Sequence, residues 1–189
     1  MNDILRMLSG SDLRSDGLAN EVVTLVEENP FLIKELLEGL IQADDVIRGR
    51  TADALEKITR DRPELVQTQF SLLVNTAAKD PISMVRWHTA MILTNLLSME
   101  TNVDEIERTL VRLLDDESAI VRSWSISGLC IFGRKFPQRR DQIISRITRL
   151  EQDPSIAVRH RTTQAVKFLI NERLAISPGW VKSRRIRGI

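Results

Sequence analysis

The sequence predicts an all-α chain, a solenoid of about five helix pairs, and three observations predict it. First, an aliphatic residue followed by arginine recurs as Ile47-Arg48, Val85-Arg86, Val121-Arg122 and Val158-Arg159. The arginines are 38, 36 and 37 residues apart, and a period of this size marks a repeat architecture. Second, fixed columns accompany each arginine. An Asp stands six residues before the last three (Asp80, Asp116, Asp153), and a small hydroxyl residue stands three after each (Thr51, Thr89, Ser125, Thr162). An aliphatic follows at seven (Leu55, Leu93, Leu129, Val166) and an apolar residue at ten (Ile58, Leu96, Phe132, Leu169). Third, six prolines, eight glycines, no tyrosine and few β-branched runs favour helix over sheet.

Each element has its own local signal. Residues 2–9 form a short helix closed by Ser9-Gly10. Residues 16–29 follow, with Leu18, Val22, Val23, Leu25 and Val26 at helical spacing. Asn29-Pro30 breaks that helix and starts the next, whose apolar face over 30–42 is Phe31, Leu32, Leu36, Leu37, Leu40 and Ile41. Ala43-Asp44-Asp45 is the turn and cap before the helix that carries Arg48 to about Arg60. Pro63 opens a helix with Leu65, Val66, Phe70, Leu73 and Val74 in its stripe, and Asp80-Pro81 restarts the chain as a helix to about Ser98. Val103 to Leu114 carries Ile106, Leu110, Leu113 and Leu114. Asp115-Asp116-Glu117-Ser118 caps the helix of Arg122 and Trp124, which ends at Gly133 and Pro137. Residues 138–152 present Ile143, Ile144, Ile147 and Leu150, and Asp153-Pro154-Ser155 starts the last long helix, through Arg159 to about Arg173.

This gives repeats at about 2–29, 30–60, 63–98, 103–135 and 138–173, a solenoid over 1–176, and a basic tail over 177–189 beginning at Ser177-Pro178-Gly179. Each repeat is an A helix followed by a B helix, with the arginines on the B helices. The Asp elements read as helix caps, since an Asp ahead of a helix accepts from its unpaired amides and favours the positive end of the dipole. Asp80, Asp116 and Asp153, with Arg86, Arg122 and Arg159, are also placed to reach neighbouring repeats as a structural ladder of charge-assisted bonds.

The columns Asp80, Val85, Arg86, Ala90 and Leu93, then Asp116, Val121, Arg122 and Leu129, then Asp153, Val158, Arg159 and Val166, resemble HEAT repeats and their phycobilin-lyase-like relatives. The resemblance covers about residues 30–173 and implies a right-handed α-α superhelix, armadillo-like in build. Arg48 has Gln42 at the Asp position and the first pair lacks the motif, as at the capping end of a solenoid. Members of this family range from scaffolds to nucleic-acid binders and a few enzymes, so the resemblance implies fold rather than function.

Composition narrows the class. With 42% hydrophobic and 28% charged residues the chain can bury a continuous core. It starts without the basic and apolar regions of a signal peptide, no window is long and apolar enough for a membrane span, and Cys130 is the single cysteine. The expectation is a soluble cytoplasmic protein with no membrane partner. The net charge of +1 conceals a polarity: from Arg134 onward 14 basic and 4 acidic residues give +10, leaving 13 basic and 22 acidic, or −9, before it. That asymmetry suits an anionic partner at the C-terminal end, or pairing of opposite ends between copies.

In such a solenoid the B helices line the concave face. Offsets +1, +2, +5 and +9 from each arginine lie off the core side, and they bring Trp87, His88, Trp124, His160 and Arg161 to one patch across consecutive repeats. Large side chains with a polar handle are what protein hot spots use, although Trp87 and Trp124 equally suit packing between successive B helices. The candidates for anion or nucleic-acid binding are Arg139, Arg140, Lys182, Arg184, Arg185 and Arg187, which could track a phosphate backbone. A tail that folds back, with Trp180 covering the last B helix, is the other arrangement open to it.

Catalytic patterns are absent: no Gly-rich phosphate loop, Cys-x2-Cys, His-Glu-x2-His or Gly-x-Ser-x-Gly occurs. No metal site or cofactor is expected, and Cys130 reads as a small core residue. The sequence therefore predicts a non-catalytic scaffold or adaptor that binds a partner protein through its concave face. The alternative is a nucleic-acid-binding protein, with DNA repair as its setting, that uses the basic C-terminal end.

Overall fold

The computed structural model describes residues 2–186. Among them lie ten α-helices and no strand, and no helix is long and apolar enough to cross a membrane. The A helices are α1 (Asp3–Leu8), α3 (Ile33–Leu37), α5 (Phe70–Lys79), α7 (Val103–Arg112) and α9 (Arg140–Thr148). The B helices are α2 (Ala19–Glu28), α4 (Asp45–Thr59), α6 (Ser83–Leu96), α8 (Ala119–Lys135) and α10 (Ile156–Ile170). B packs on B through the series α2, α4, α6, α8 and α10, each A helix packs on the B helix that follows it, and α5 meets α7 on the outer layer. Two layers of helix thus enclose one continuous core.

The A elements are shorter than their apolar stripes suggest. Pro30, Pro63 and Pro137 each open a 3-10 segment (Pro30–Leu32, Pro63–Gln69, Pro137–Arg139) before the α-helix proper. A proline there has φ already set and no N–H to lose, and tight 3-10 turns are frequent at helix ends. The B helices α4, α6, α8 and α10 are longer and carry the columns. Thr51, Ala52, Leu55 and Ile58 on α4, Thr89, Ala90, Leu93 and Leu96 on α6, and Ser125, Ile126, Leu129 and Phe132 on α8 are all buried. On α10, Thr162 and Leu169 are buried, whereas Thr163 is exposed and Val166 half-buried, because no later repeat covers that side.

The hydroxyl column follows from the same packing. Thr89 Oγ1, Ser125 Oγ and Thr162 Oγ1 donate to the carbonyls of Val85, Val121 and Val158, at 2.7, 2.9 and 3.0 Å. A small side chain admits the neighbouring helix, and the i−4 bond satisfies its one polar atom. Close approach also explains Gly128 on α8, where an added Cβ would stand 2.4 Å from Thr94 Oγ1 of α6.

Three of the four column arginines, Arg48, Arg86 and Arg122, join two repeats. Arg86 Nε and Nη2 donate to Asp116 Oδ2 and Oδ1 at 2.7 and 2.9 Å, while its Nη1 donates to the carbonyls of Asp80 and Pro81 at 2.8 and 3.0 Å. Arg122 does the same one repeat later. Nε and Nη2 reach Asp153, both at 2.8 Å, and Nη1 reaches the Asp116 and Glu117 carbonyls at 2.7 and 3.0 Å. Arg48 Nε donates to Asp80 Oδ2 at 2.9 Å, and its Nη1 to the carbonyls of Gln42 and Ala43. Arg159 donates to the Asp153 and Pro154 carbonyls at 2.6 and 3.1 Å, and no further Asp follows among the described residues.

The expectation that these Asp residues cap their helices is corrected. The N-caps of α6, α8 and α10 are Ile82, Ser118 and Ser155, none with a side-chain capping bond. Asp80, Asp116 and Asp153 sit two residues earlier, and each Oδ1 accepts the N–H of that N-cap residue at 2.8 Å. A carboxylate held there shapes the turn and leaves its other oxygen for the preceding repeat's arginine. Asp44 alone of the set caps in the ordinary way, accepting from Val46 and Ile47 N–H at 2.8 and 3.0 Å.

At the N-terminal end Arg50 replaces the ladder. Its guanidinium donates to the carbonyls of Leu8, Ser9, Asp12 and Ser15, drawing the loop between α1 and α2 around itself. Gly17 has φ +55° in this loop, and a Cβ there would lie 2.5 Å from Arg50 Nη1. Both demands select glycine.

Because Arg122 and Asp153 are nearly buried and mutually bonded, Arg122→Ala leaves a carboxylate and two carbonyls without their donor. It should lower unfolding stability by about 3 kcal/mol, read as the denaturant midpoint. Burial alone would raise the Asp153 carboxyl, but the Arg122 guanidinium and the Ser155 N–H outweigh it and hold it below the usual carboxylate range. A depressed folded value gives stability that is present above the unfolded value, about 3.9, and lost as pH falls through the folded one. The fall in stability of the parent chain below about pH 4 should accordingly be shallower in Arg122→Ala.

Candidate functional site

The inner face of the B helices carries a row of large side chains. Trp87 on α6 and Trp124 on α8 stack with ring centroids 6.4 Å apart and planes 15° from parallel. Arg161, one repeat further on α10, sets its guanidinium 5.2 Å above the Trp124 ring and donates from Nη1 to Ser127 Oγ at 2.6 Å. The helical repeat brings these together, since Trp124 and Arg161 are both two residues past a column arginine and Trp87 is one past. A guanidinium over an indole face is an attractive pair that also fixes the ring. Burial pulls the Arg161 guanidinium below the usual arginine range, and it remains charged at neutral pH.

The two histidines do not join this row as a surface pair. His88 is 3% exposed. Its ring lies against that of Trp87, its Nδ1 is 2.9 Å from the Met84 carbonyl, and its Nε2 is 3.4 Å from Asp53 Oδ1. The assignment of His88 to an open contact patch is therefore corrected: adjacent B helices pack tightly enough to cover position +2 on α6. Burial would raise the Asp53 carboxyl, but hydrogen bonds from His88 and Lys57 outweigh it and lower it. His160 is exposed and lines a cleft of about 400 Å³ with Ser123, Ala157, Arg161, Gln164, Phe168, Ser177 and Trp180. Among the described residues no group of His, Cys, Asp or Glu is arranged to hold a metal ion.

The chain after α10 turns back across this face. Trp180 meets Phe168 edge to face, centroids 5.4 Å apart at 83°, and Arg161 lies 5.0 Å over its ring. Lys182 Nζ stands 5.4 Å over Trp124. Ser183 is fully buried, and its Oγ and the Arg184 N–H both donate to the Arg60 carbonyl, at 2.7 and 3.2 Å. Arg184 and Arg185 lie 3.4 and 3.1 Å from Asp61 and Glu64. The short turn Arg184–Ile186 rests on Leu97–Met99, with Ile186 buried. The segment thus crosses from α10 over α8 and α6 to the end of α4.

The cations assigned to anion binding are largely paired. Arg139 bonds Asp104 and Glu107 at 2.7 and 2.9 Å, and Arg140 pairs with Glu172. Arg184 and Arg185 have the carboxylates named above, Lys182 has the Trp124 ring, and Arg187 lies outside the described residues. Arg134, counted at the same basic end, is spent on the carbonyls of Phe168, Glu172 and Leu174. Sequence reasoning missed the acceptor side: the Arg60 carbonyl, Asp61 and Glu64. No periodic signal marks them, because the contact spans 123 residues.

Three comparisons bear on the fold. No family model and no curated protein matches this sequence. Among solved structures, an engineered protein is similar with a TM-score of 0.61 and 16% identity, over 88% of this chain and 78% of that one. A designed armadillo repeat protein in complex with the peptide (KR)4 gives 0.59 and 17%, over 89% and 80%. The N-terminal domain of MAST/Orbit gives 0.50 and 18%, over 92% and 86%. The fold is a right-handed α-α superhelix of the HEAT and armadillo kind.

Cys130 lies inside α8, fully buried, with Sγ 3.8 Å from the Ala165 carbonyl. Burial pushes its thiol up to about 12. In the native chain it should resist a thiol-disulfide reagent at about pH 8 and react fully once denaturant is added, because the thiolate is the reactive form. Rapid release of one equivalent from the folded protein would contradict this.

Proposed function

We propose that this chain is a non-catalytic HEAT-type scaffold that binds an extended segment of a partner protein along the concave face of its B helices. The observation that carries the reading is the course of residues 177–186: an irregular stretch of polypeptide already lies on that face. It is held by Trp124 and Arg161 of the row and by the carbonyl of Arg60. A face that accommodates one extended peptide with aromatic, cationic and main-chain contacts has the chemistry to accommodate another. The designed armadillo protein that shares the fold holds the basic peptide (KR)4. The segment on this face is basic too, with Lys182, Arg184 and Arg185.

Within the face, Trp124 is the centre of the contact surface. Trp87, Arg161 and Lys182 surround its ring, and the residue packed from several sides at the middle of an interface carries a disproportionate share of the affinity. His160 is exposed and stands at the rim, where contacts carry less of the affinity than those at the centre. The nucleic-acid reading loses support from the same geometry, since Arg139, Arg140, Arg184 and Arg185 face carboxylates rather than solvent alone.

Selection of a displayed peptide library on the immobilised full-length chain tests the proposal. Enriched peptides should bind the parent chain and lose about tenfold or more in affinity on Trp124→Ala, with the helical circular-dichroism signal retained. Peptides that bind parent and variant alike would remove the concave face from consideration. Affinity for single-stranded DNA or RNA that falls steeply with salt, in the absence of any selected peptide, would favour the alternative.

A further inference from the structure

We propose that residues 177–186 are a resident occupant of the concave groove. The partner is then an extended basic segment with an aromatic anchor, and it binds by displacing them. This rests on the concave-face reading and adds to it the ligand chemistry and a built-in competitor.

The contacts of the segment are those of a docked peptide rather than of a repeat. It makes no α-helix across α10, α8 and α6, its one regular turn is the 3-10 stretch Arg184–Ile186, and its hold is a series of separate points. Trp180 is the anchor, against Phe168 and Arg161. Two residues on, Lys182 covers Trp124. Three on, Ser183 Oγ and the following N–H converge on one carbonyl, that of Arg60. Six on, Ile186 is buried beside Leu97–Met99. That spacing defines the ligand: an aromatic residue, a cation at +2, a hydroxyl at +3 and an aliphatic at +6.

Electrostatics choose the sign. Arg60 ends α4, so its carbonyl belongs to the negative end of a helix dipole, which favours cations. Asp61 and Glu64 add two carboxylates beside it, and Arg184 and Arg185 meet them. The polarity of the sequence, −9 before Arg134 and +10 after, is in this way partly neutralised within one molecule.

The hold is also weak enough to release. Both ion pairs are exposed, with the Arg184 side chain 72% accessible, and exposed pairs contribute little. Trp180 and Lys182 are only half-buried. The Arg–Asp ladder is buried and bidentate at Arg86 and Arg122, whereas the segment reaches comparable burial only at Ser183 and Ile186. Segments with few buried contacts are those that open locally while the rest stays folded. Tethering supplies a high effective concentration, which a free ligand must overcome and which masks the groove in the intact chain.

The test uses the full-length chain and a labelled synthetic peptide with the sequence of residues 178–189, followed by fluorescence anisotropy. In the release variant Trp180→Ala/Ile186→Ala the groove is vacated, and the peptide should bind about tenfold or more tighter than to the parent chain. Adding Trp124→Ala to that variant should abolish the gain. Arg184→Glu/Arg185→Glu is a second release variant that acts by repulsion rather than by loss of weak pairs, because it sets two carboxylates against Asp61, Glu64 and the negative end of α4; a gain in the same direction is expected should the first fail to melt cooperatively. Equal affinity for parent and release variants, or a gain insensitive to Trp124→Ala, overturns the proposal. If the labelled peptide binds none of them while library-selected peptides still need Trp124, the groove is a peptide site without a resident competitor. The inference fails then, and the concave-face reading stands.

Discussion

A guanidinium has donors on two edges and needs acceptors for both once it is buried, and that requirement organises this solenoid. Arg86 and Arg122 turn Nη1 to two carbonyls of their own repeat and present Nε and Nη2 to the carboxylate of the next. The same carboxylate forms the turn that starts its own B helix. One ion pair therefore fixes the height and rotation of each of the last three repeats on the one before, and the apolar columns only have to fill the space so defined. Bidentate pairing is directional, so the stack tolerates little slippage. Between the first and second repeats, where Gln42 stands in place of Asp, Arg50 takes over by gathering carbonyls of the loop between α1 and α2.

Regular stacking has a consequence for the inner face. Side chains at equal offsets on successive B helices must come to lie side by side, whatever they are. Trp124 and Arg161 share an offset and meet as ring and cation, and Trp87 stacks from the repeat before. The face is thus an ordered row of π and cationic groups rather than a smooth apolar trough. Polypeptide with aromatic and basic side chains suits such a row, and the tail that lies on it has both.

Much of the fold was legible because a repeat states its packing several times. The hydroxyl at +3 is small and polar in all four arginine-bearing B helices, and it meets the same need in three of them, an i−4 bond under a closely packed neighbour. Period alone placed Trp87, Trp124 and Arg161 near each other. It misread His88, because an offset gives the direction of a side chain and says nothing of how closely the next helix approaches. It also misread the Asp residues as caps, because a carboxylate two residues outside a helix and one at its N-cap differ by a turn that the sequence does not display.

By itself the sequence determined the architecture: paired helices, the order of the repeats, the core columns and the arginines that bind one repeat to the next. These rest on interactions between residues at one recurring spacing, so each repetition adds information. Tertiary structure alone decided where the basic tail lies and which acceptors it finds. Ser183 reaches the Arg60 carbonyl across 123 residues, a single contact made once, to a main-chain atom that every residue possesses. No pattern of side chains can announce such a bond, because its specificity comes from the stacking of helices that brings the end of α4 to the returning chain.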